Sequence, residues 1–164
     1  MDELEYEISN IGGNDQHYAF DFGHDHREVV RAMRAGVVVA FDDSHPDNNE
    51  DDPNFIVIRH DTLVDDHDDP FGSGNVVTYG RYLHGAEDGV TNVLGASPIG
   101  MTVNQGDPIM EADDTGTSFH SHLHVYVLMD DGGNPGQESI PFVFEDVDND
   151  AGLPESRTWY RAGD

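Results

Sequence analysis

The stretch His122-Leu-His-Val-Tyr-Val-Leu-Met129 decides how this chain is interpreted, because it places two histidines at the start of an apolar strand. Side chains alternate between the faces of a strand, so His122 and His124 point the same way, about 7 Å apart at roughly 3.3 Å of rise per residue. That spacing suits a metal-centred site with one imidazole as ligand and the other as acid or base. His120 joins the same face if the strand begins early. A chance cluster or a solvated edge of a histidine-rich chain is the alternative.

A second pair of polar residues lies about a hundred residues upstream. The stretch His17-Tyr-Ala-Phe-Asp21 places an imidazole and a carboxylate four residues apart among aromatic residues. A catalytic zinc site has three protein ligands and one open position, and both histidine and aspartate bind zinc. His17, Asp21 and one histidine of the 122/124 pair would supply that set. Taken alone, His17 and Asp21 are better interpreted as a polar loop before a strand.

The order of motifs along the chain favours a metal site over a polar loop or a chance cluster of histidines. Between the two histidine motifs, the sequence carries Val29 to Val39 with Gly36 inside it, Asn54-Phe-Ile-Val-Ile-Arg-His60, Tyr79-Gly-Arg-Tyr-Leu-His84, Gly100 to Ile109 and Thr115-Gly-Thr-Ser118. This order and spacing resembles the lysostaphin/LytM-like zinc metallopeptidases, the murein endopeptidase family. The likeness covers about residues 15 to 145. Each motif is weak alone, and the combination is specific.

The resemblance implies a site and a reaction. It implies that His17, Asp21 and His124 bind zinc, and that His84 and His122 are non-ligand catalytic histidines that flank the zinc-bound water and the substrate carbonyl. Members of the family hydrolyse peptide cross-bridges, so the expected activity is that of a zinc-dependent endopeptidase. All five positions hold the residue type that the family requires, which argues for an active enzyme.

The resemblance also implies substrate contacts. Tyr82, Asn54 and His120 are expected to bind substrate. His120 occupies the turn before the His-Leu-His strand, where the family lines its groove, and a solvent-facing turn residue is the alternative. The chain departs from the family in the charged loop Gly23–Glu28, in Val125 where an aromatic residue is usual, and in an acidic insertion from Asp61 to Gly74. These departures leave the metal residues intact and put the substrate preference in doubt.

Composition restricts the class of protein. Of the 164 residues, 34 are acidic and 7 basic, all of the latter arginine, which gives a formal net charge of −27. Such a surface repels phosphates, so the composition disfavours nucleic-acid binding. Adaptation to molar salt explains the charge better than disorder does, because the Debye length is only about 3 Å at about 1 M. Cysteine is absent, so disulfides and thiolate ligands are excluded.

The fold class expected from pattern and resemblance is mainly β. We expect one domain over residues 1–164, built of antiparallel sheets that form a groove, as in the lysostaphin/LytM-type fold. Its core spans about 15–145, and an acidic tail, 146–164, packs on that core. Apolar runs bounded by turn residues predict strands, at Ala35–Phe41, Phe55–Arg59, Val76–Leu83, Ile109–Glu111, Leu123–Met129 and Ile140–Phe144.

One further segment of the chain is ambiguous, and several histidines are expected to be bystanders. Arg27 to Ala35 fits either a helical turn or, following the resemblance, a strand at Val30–Ala32 that runs into the turn at Gly36. The remaining histidines are expected at the surface without catalytic roles: His24, His26, His45, His60 and His67.

Three functions are compatible with these observations. A zinc endopeptidase acting on murein cross-bridges or on a surface-layer protein is the first. A lysostaphin-like module that binds metal without catalysis, serving a structural or recognition role, is the second. A cupin-like metalloenzyme is the third, since His-x-His on a strand is also a cupin feature. The cupin motif requires a glutamate shortly after the second histidine, and residues 125 to 129 contain none.

The expected location is extracellular or virion-associated. The segment from Met1 to Glu7 lacks the basic and apolar regions of a signal peptide, and no apolar run reaches the 18 residues of a membrane span. A wall-directed enzyme would then be released by lysis, carried within a virus particle beside other virion proteins, or exported by a leader that has been removed.

Overall fold

The computed structural model describes residues 16–64, 74–118, 120–142 and 144. It is mainly β with antiparallel sheets, which confirms the expected fold class. The predicted packing of the tail 146–164 lies outside the described residues, as does His67. Within the described residues, no helix is long and apolar enough to cross a membrane.

The described chain forms strands joined by short turns and contains one short helix. The strands are β1 (Phe20–Gly23), β2 (Val29–Arg31), β3 (Gly36–Asp42), β4 (Asn54–Val64), β5 (Gly74–Gly85), β6 (Thr102–Val103), β7 (Pro108–Glu111), β8 (His122–Asp130) and β9 (Pro135–Ile140). The helix α1 spans Gly89–Leu94, and its Val90 is fully buried. All strand pairs that these elements form are antiparallel.

The large sheet positions the histidine motif. Its strands follow the order β1-β8-β5-β4-β3-β6. Strand β8 pairs with β5 on one side, and on the other side with β1 and then with β9. In the β1 pairing, Phe20 lies opposite Val125. In the β9 pairing, Ile140 lies opposite Val127. The histidine end of β8 is therefore fixed by backbone hydrogen bonds on both sides.

Apolar side chains cover both faces of the large sheet. On one face, a core cluster joins Ile56, Tyr82 and Val125 to residues of α1 and of the small sheet formed by β2 and β7. On the other face, a smaller cluster contains Leu83 and Tyr126. Because alternate residues of a strand share a face, His122 and His124 lie on the same face as Tyr126.

The predicted strands agree with the structure except at the C-terminal end. The segment before Gly36 is the strand β2 rather than a helix. The expected strand at Ile140–Phe144 is wrong, because β9 ends at Ile140. The two ends of the acidic insertion are regular sheet, since β4 continues to Val64, which pairs with Gly74 at the start of β5. The helix α1 was not anticipated.

The expectation that His60 is a surface residue is wrong. His60 lies in β4 and is 2% exposed. Its Nδ1–H donates to the Ala35 carbonyl at 2.9 Å, and its Nε2 has no hydrogen-bond partner. Burial lowers the pKa of His60. The acidic sequence that follows His60 suggested exposure, whereas the pairing of β4 between β3 and β5 buries it.

Candidate metal centre

Asp21 and His124 meet because the register of β1 and β8 sets them opposite each other. Directly opposed residues of an antiparallel pair bring their side chains close together on one face. The Oδ1 atom of Asp21 lies 2.6 Å from Nδ1 of His124. Only 12% of the Asp21 side chain and 6% of the His124 side chain are exposed. The structure therefore brings these two predicted site residues into contact.

His122 joins this pair from the same strand. Its Nε2 lies 3.7 Å from Asp21 Oδ1. One ligand atom each of Asp21, His122 and His124 lies within 4.8 Å of the others, so the three can hold a metal ion. We call these three residues the histidine cluster. The Nδ1–H of His122 donates to the His120 carbonyl at 2.9 Å, and the Ser118 hydroxyl lies 3.0 Å from the same nitrogen.

A β-bulge turns His84 toward the histidine cluster. Phe55 pairs with Leu83 and Asn54 pairs with Gly85, so His84 is the extra residue on its strand. Its φ is 63°, in the left-handed region that is uncommon for residues other than glycine. Regular alternation would place His84 on the face of Tyr82. Bulges re-aim side chains near functional sites, and here the His84 ring lies 4.4 Å from the His122 ring.

His84 is held in one tautomer. Its Nδ1–H donates to the Thr115 carbonyl at 2.6 Å, which leaves Nε2 to accept. Burial, assisted by the neighbouring His122, lowers the pKa of His84 to about 3. The imidazole is therefore neutral at physiological pH.

The donor atoms of the site can hold a proton or a cation. Each of the three imidazoles uses one N–H on an internal oxygen, since His124 Nε2 lies 2.9 Å from the Gln16 side-chain oxygen. A neutral imidazole carries one N–H, so the second nitrogen of each ring is a lone-pair donor. His124 Nδ1 and Asp21 Oδ1 are then two electron-pair donors at 2.6 Å. Such an arrangement requires a proton or a metal ion between the two atoms.

His17 is not part of the histidine cluster. It lies in the turn before β1, its side chain is exposed, and its ring packs edge-on against Tyr18 at 4.7 Å between centroids. The turn closes through a hydrogen bond from the Ala19 N–H to the Gln16 carbonyl at 3.0 Å. The side-chain oxygen of the neighbouring Gln16 lies 2.9 Å from Nε2 of His124. The assignment of His17 as a zinc ligand stays a prediction.

The three expected substrate-binding residues occupy different environments. Tyr82 is fully buried in the core, and its hydroxyl accepts the Met33 N–H at 2.9 Å. Asn54 is also fully buried, and its side-chain amide donates to the carbonyls of His45 and Gly85. Both placements give these residues structural roles, and their contact with substrate stays a prediction. His120 is exposed, and its carbonyl accepts from His122.

Sequence reasoning missed the residues that orient the histidines. Gln16, Thr115 and Ser118 hydrogen-bond to His124, His84 and His122 respectively. The motif Thr115-Gly-Thr-Ser118 was noticed in the sequence, but nothing in it identified the Thr115 main-chain carbonyl as a partner of His84. Gln16 lies directly before the His17 motif and carried no signal of its own.

No protein-family model matches this chain, and no curated protein matches it.

Proposed function

We propose that this protein is a zinc-dependent endopeptidase in which Asp21 and His124 hold the metal. The observation that carries the proposal is the cross-strand pair itself. Asp21 Oδ1 and His124 Nδ1 face each other at 2.6 Å while the second nitrogen of His124 is engaged by Gln16. Histidine ligands of zinc usually donate their other N–H to an oxygen in this way. Carboxylate oxygen and imidazole nitrogen are both zinc ligands, so the donor set fits.

The geometry of the histidine cluster and the family resemblance indicate different residues as the third protein ligand. The histidine cluster offers His122, whose Nε2 lies 3.7 Å from Asp21 Oδ1. The resemblance to the lysostaphin/LytM-like family indicates His17 and reserves His122 for catalysis. Ala19 belongs to the core cluster on the face that carries His124. An extended conformation of the preceding residues would place His17 on that face, because residues two apart share a face. We propose His17 as the third ligand.

The chain's own residues then supply the proton transfers. Zinc in such a site provides a Lewis acid that polarises a carbonyl oxygen and acidifies water. His84 is neutral with Nε2 unprotonated, so it accepts a hydrogen bond from the attacking water and orients it. His122 is 20% exposed and keeps its Nδ1–H on the His120 carbonyl, so its unprotonated Nε2 would take up the proton that the attacking water releases and then deliver it to the leaving amine.

The proposed substrate is a peptide of a cell-envelope polymer. The resemblance indicates murein cross-bridges, and the excess of carboxylates over basic groups indicates an envelope in a salt-rich environment. A surface-layer protein is the corresponding substrate where murein is absent. The lysostaphin/LytM-type architecture, with its groove between antiparallel strands, is part of this proposal.

The test is cleavage by matched variants in molar salt. We expect the zinc-loaded protein to release peptides from murein or from surface-layer protein, detected by mass spectrometry. His84→Ala and His122→Ala should keep zinc and lose about 100-fold or more in turnover, as is typical when an acid or base is removed. His45→Ala is the control, because His45 contacts Asp42 at 3.7 Å and lies outside the site.

Two outcomes would contradict the proposal. Zinc-loaded protein that binds these polymers and leaves every peptide bond intact would indicate a recognition module without catalysis. Full turnover by both His84→Ala and His122→Ala would remove the proposed proton transfers. A substrate with an activated leaving group separates the two roles. Its cleavage should suffer less from His122→Ala than from His84→Ala, because a good leaving group needs no proton.

A further inference from the structure

A second group of metal-binding residue types lies outside the histidine cluster. His26, Asp47 and Asp113 each offer one ligand atom, and these atoms lie within 4.8 Å of one another. We call them the His26 cluster. His26 follows β1, Asp47 follows β3 and Asp113 follows β7, so three separate loops meet here.

Asp113 contributes a buried oxygen that has no hydrogen bond. Its side chain is only 3% exposed. The Nδ1 atom of His26 lies 2.9 Å from both carboxylate oxygens, but its N–H is directed at Oδ1, and Oδ2 has no hydrogen bond. Buried polar atoms almost always have partners, because an unpaired one keeps the cost of leaving water. A cation bound next to Oδ2 would satisfy this atom.

The nearest guanidinium does not supply that cation. The Arg27 guanidinium contacts Asp47 at 2.9 Å and Glu111 at 2.8 Å, and it also donates to the Glu87 carbonyl at 3.2 Å. Asp114, next to Asp113 in the chain, adds another carboxylate, whose Oδ1 accepts the Asn48 N–H. Asp47 and Glu111 therefore use the charge of Arg27, whereas Asp113 Oδ2 is buried, lies 2.9 Å from His26 Nδ1 and has no hydrogen bond.

We propose that the His26 cluster is a second divalent-cation site, specific for a transition-metal ion such as zinc. Two carboxylates and one imidazole form a mixed oxygen and nitrogen donor set that zinc accepts. Calcium instead prefers six to eight oxygen ligands, so an imidazole ligand argues against calcium. His26 is mostly exposed, so its proton can move to Nε2, in contact with water, when Nδ1 binds the ion.

An ion bound at the His26 cluster would connect its three loops to His84, which faces the histidine cluster. The Asp113 N–H donates to the His84 carbonyl at 2.6 Å, and Thr115, two residues later, accepts from the His84 imidazole. An ion on Asp113 therefore restrains the segment that orients His84. Its role is structural, and it does not depend on the proposed peptidase activity.

The test is zinc stoichiometry of the full chain, measured by equilibrium dialysis against zinc alone in about 3 M KCl, where loosely attracted ions are screened. Wild type should bind one zinc at each cluster. His26→Ala and Asp113→Asn should each lose one equivalent and melt at a lower temperature with zinc present. His45→Ala is the matched control and should bind as wild type does. Circular dichroism checks folding, and if Asp113→Asn does not fold, His26→Ala decides because its ring is largely exposed.

The possible results separate this proposal from the proposed function. Folded His26→Ala that binds as much zinc as wild type overturns the second site. Wild type that binds a single equivalent, lost in Asp21→Ala and kept in His26→Ala, also overturns it, and would mean that a proton satisfies Asp113. A single equivalent lost in His26→Ala and kept in Asp21→Ala would support the second site and contradict the zinc centre at Asp21.

Discussion

The histidine cluster and the His26 cluster contain the same ligand types but are held by different parts of the fold. Asp21 and His124 lie on paired strands, and their distance follows from the register of β1 and β8. His26, Asp47 and Asp113 lie on three loops that side-chain contacts such as Arg27–Asp47 hold together. Hydrogen-bonded strands open less readily than loops. We therefore expect the histidine cluster to persist under conditions that disrupt the His26 cluster.

The largest effect should come from removing a ligand of the strand-borne site. Asp21→Ala and His124→Ala should each abolish zinc binding at the histidine cluster, because a three-ligand site rarely survives the loss of one ligand. His17→Ala should do the same, and His122→Ala should keep the ion. Metal analysis should use these variants combined with His26→Ala, so that the His26 cluster is removed and only the histidine cluster can bind zinc. Metal-free His122→Ala together with loaded His17→Ala would reverse the assignment of the third ligand.

The second-largest effect should come from lowering the salt concentration, which should open the loops of the His26 cluster before the strands of the histidine cluster. Far below molar ionic strength, repulsion among the 34 acidic residues is unscreened and should loosen the domain, beginning with the acidic loops. Circular dichroism across a chloride titration, from about 3 M to about 0.1 M, reports the fold. Hydrogen exchange should show the loop around Asp47 opening before β8. An unchanged melting temperature across the titration would contradict adaptation to salt.

The two regions also differ in how far the sequence could predict them. The pair His122/His124 and the strand that carries it are local patterns, and the resemblance strengthened the case for Asp21 and added His84. The bulge that turns His84 depends on a register between β4 and β5, which no local pattern encodes. The His26 cluster joins residues as distant as His26 and Asp113, which are 87 positions apart, through loop geometry alone.

Protonation of His60 in the large sheet should have a moderate effect on the stability of the protein. Burial lowers the pKa of His60, so the unfolded chain binds its proton more readily than the folded one. The stability that this difference contributes is complete above the ordinary pKa of 6.5 and is lost as the pH falls below it. The loss is at most about 1.4 kcal/mol per pH unit for one proton. His60→Asn, which keeps a donor for Ala35, should reduce the loss of stability between about pH 7 and about pH 5.

Denaturant unfolding of wild type and His60→Asn in molar salt measures this difference directly. Other groups titrate in the same range, including His84, so the comparison rests on the difference between the two proteins rather than on either slope. Equal slopes for wild type and His60→Asn would mean that His60 is not buried as described.

The smallest effect is expected at the edge of the histidine cluster. His120 is exposed, and it holds His122 through its backbone carbonyl, which a side-chain substitution leaves in place. His120→Ala should therefore keep zinc and reduce turnover by less than about tenfold, well short of the loss expected for a general acid or base. A collapse in turnover comparable to that of His122→Ala would add His120 to the catalytic residues.

Anomalous scattering at the zinc edge tests whether Asp21 and His124 bind one zinc ion together. Crystals of zinc-loaded His26→Ala would remove the loop-borne site and leave only the strand-borne one. We predict a strong anomalous peak in contact with Asp21 Oδ1 and His124 Nδ1. A map with no peak there, from protein that carries zinc elsewhere or none at all, would contradict it.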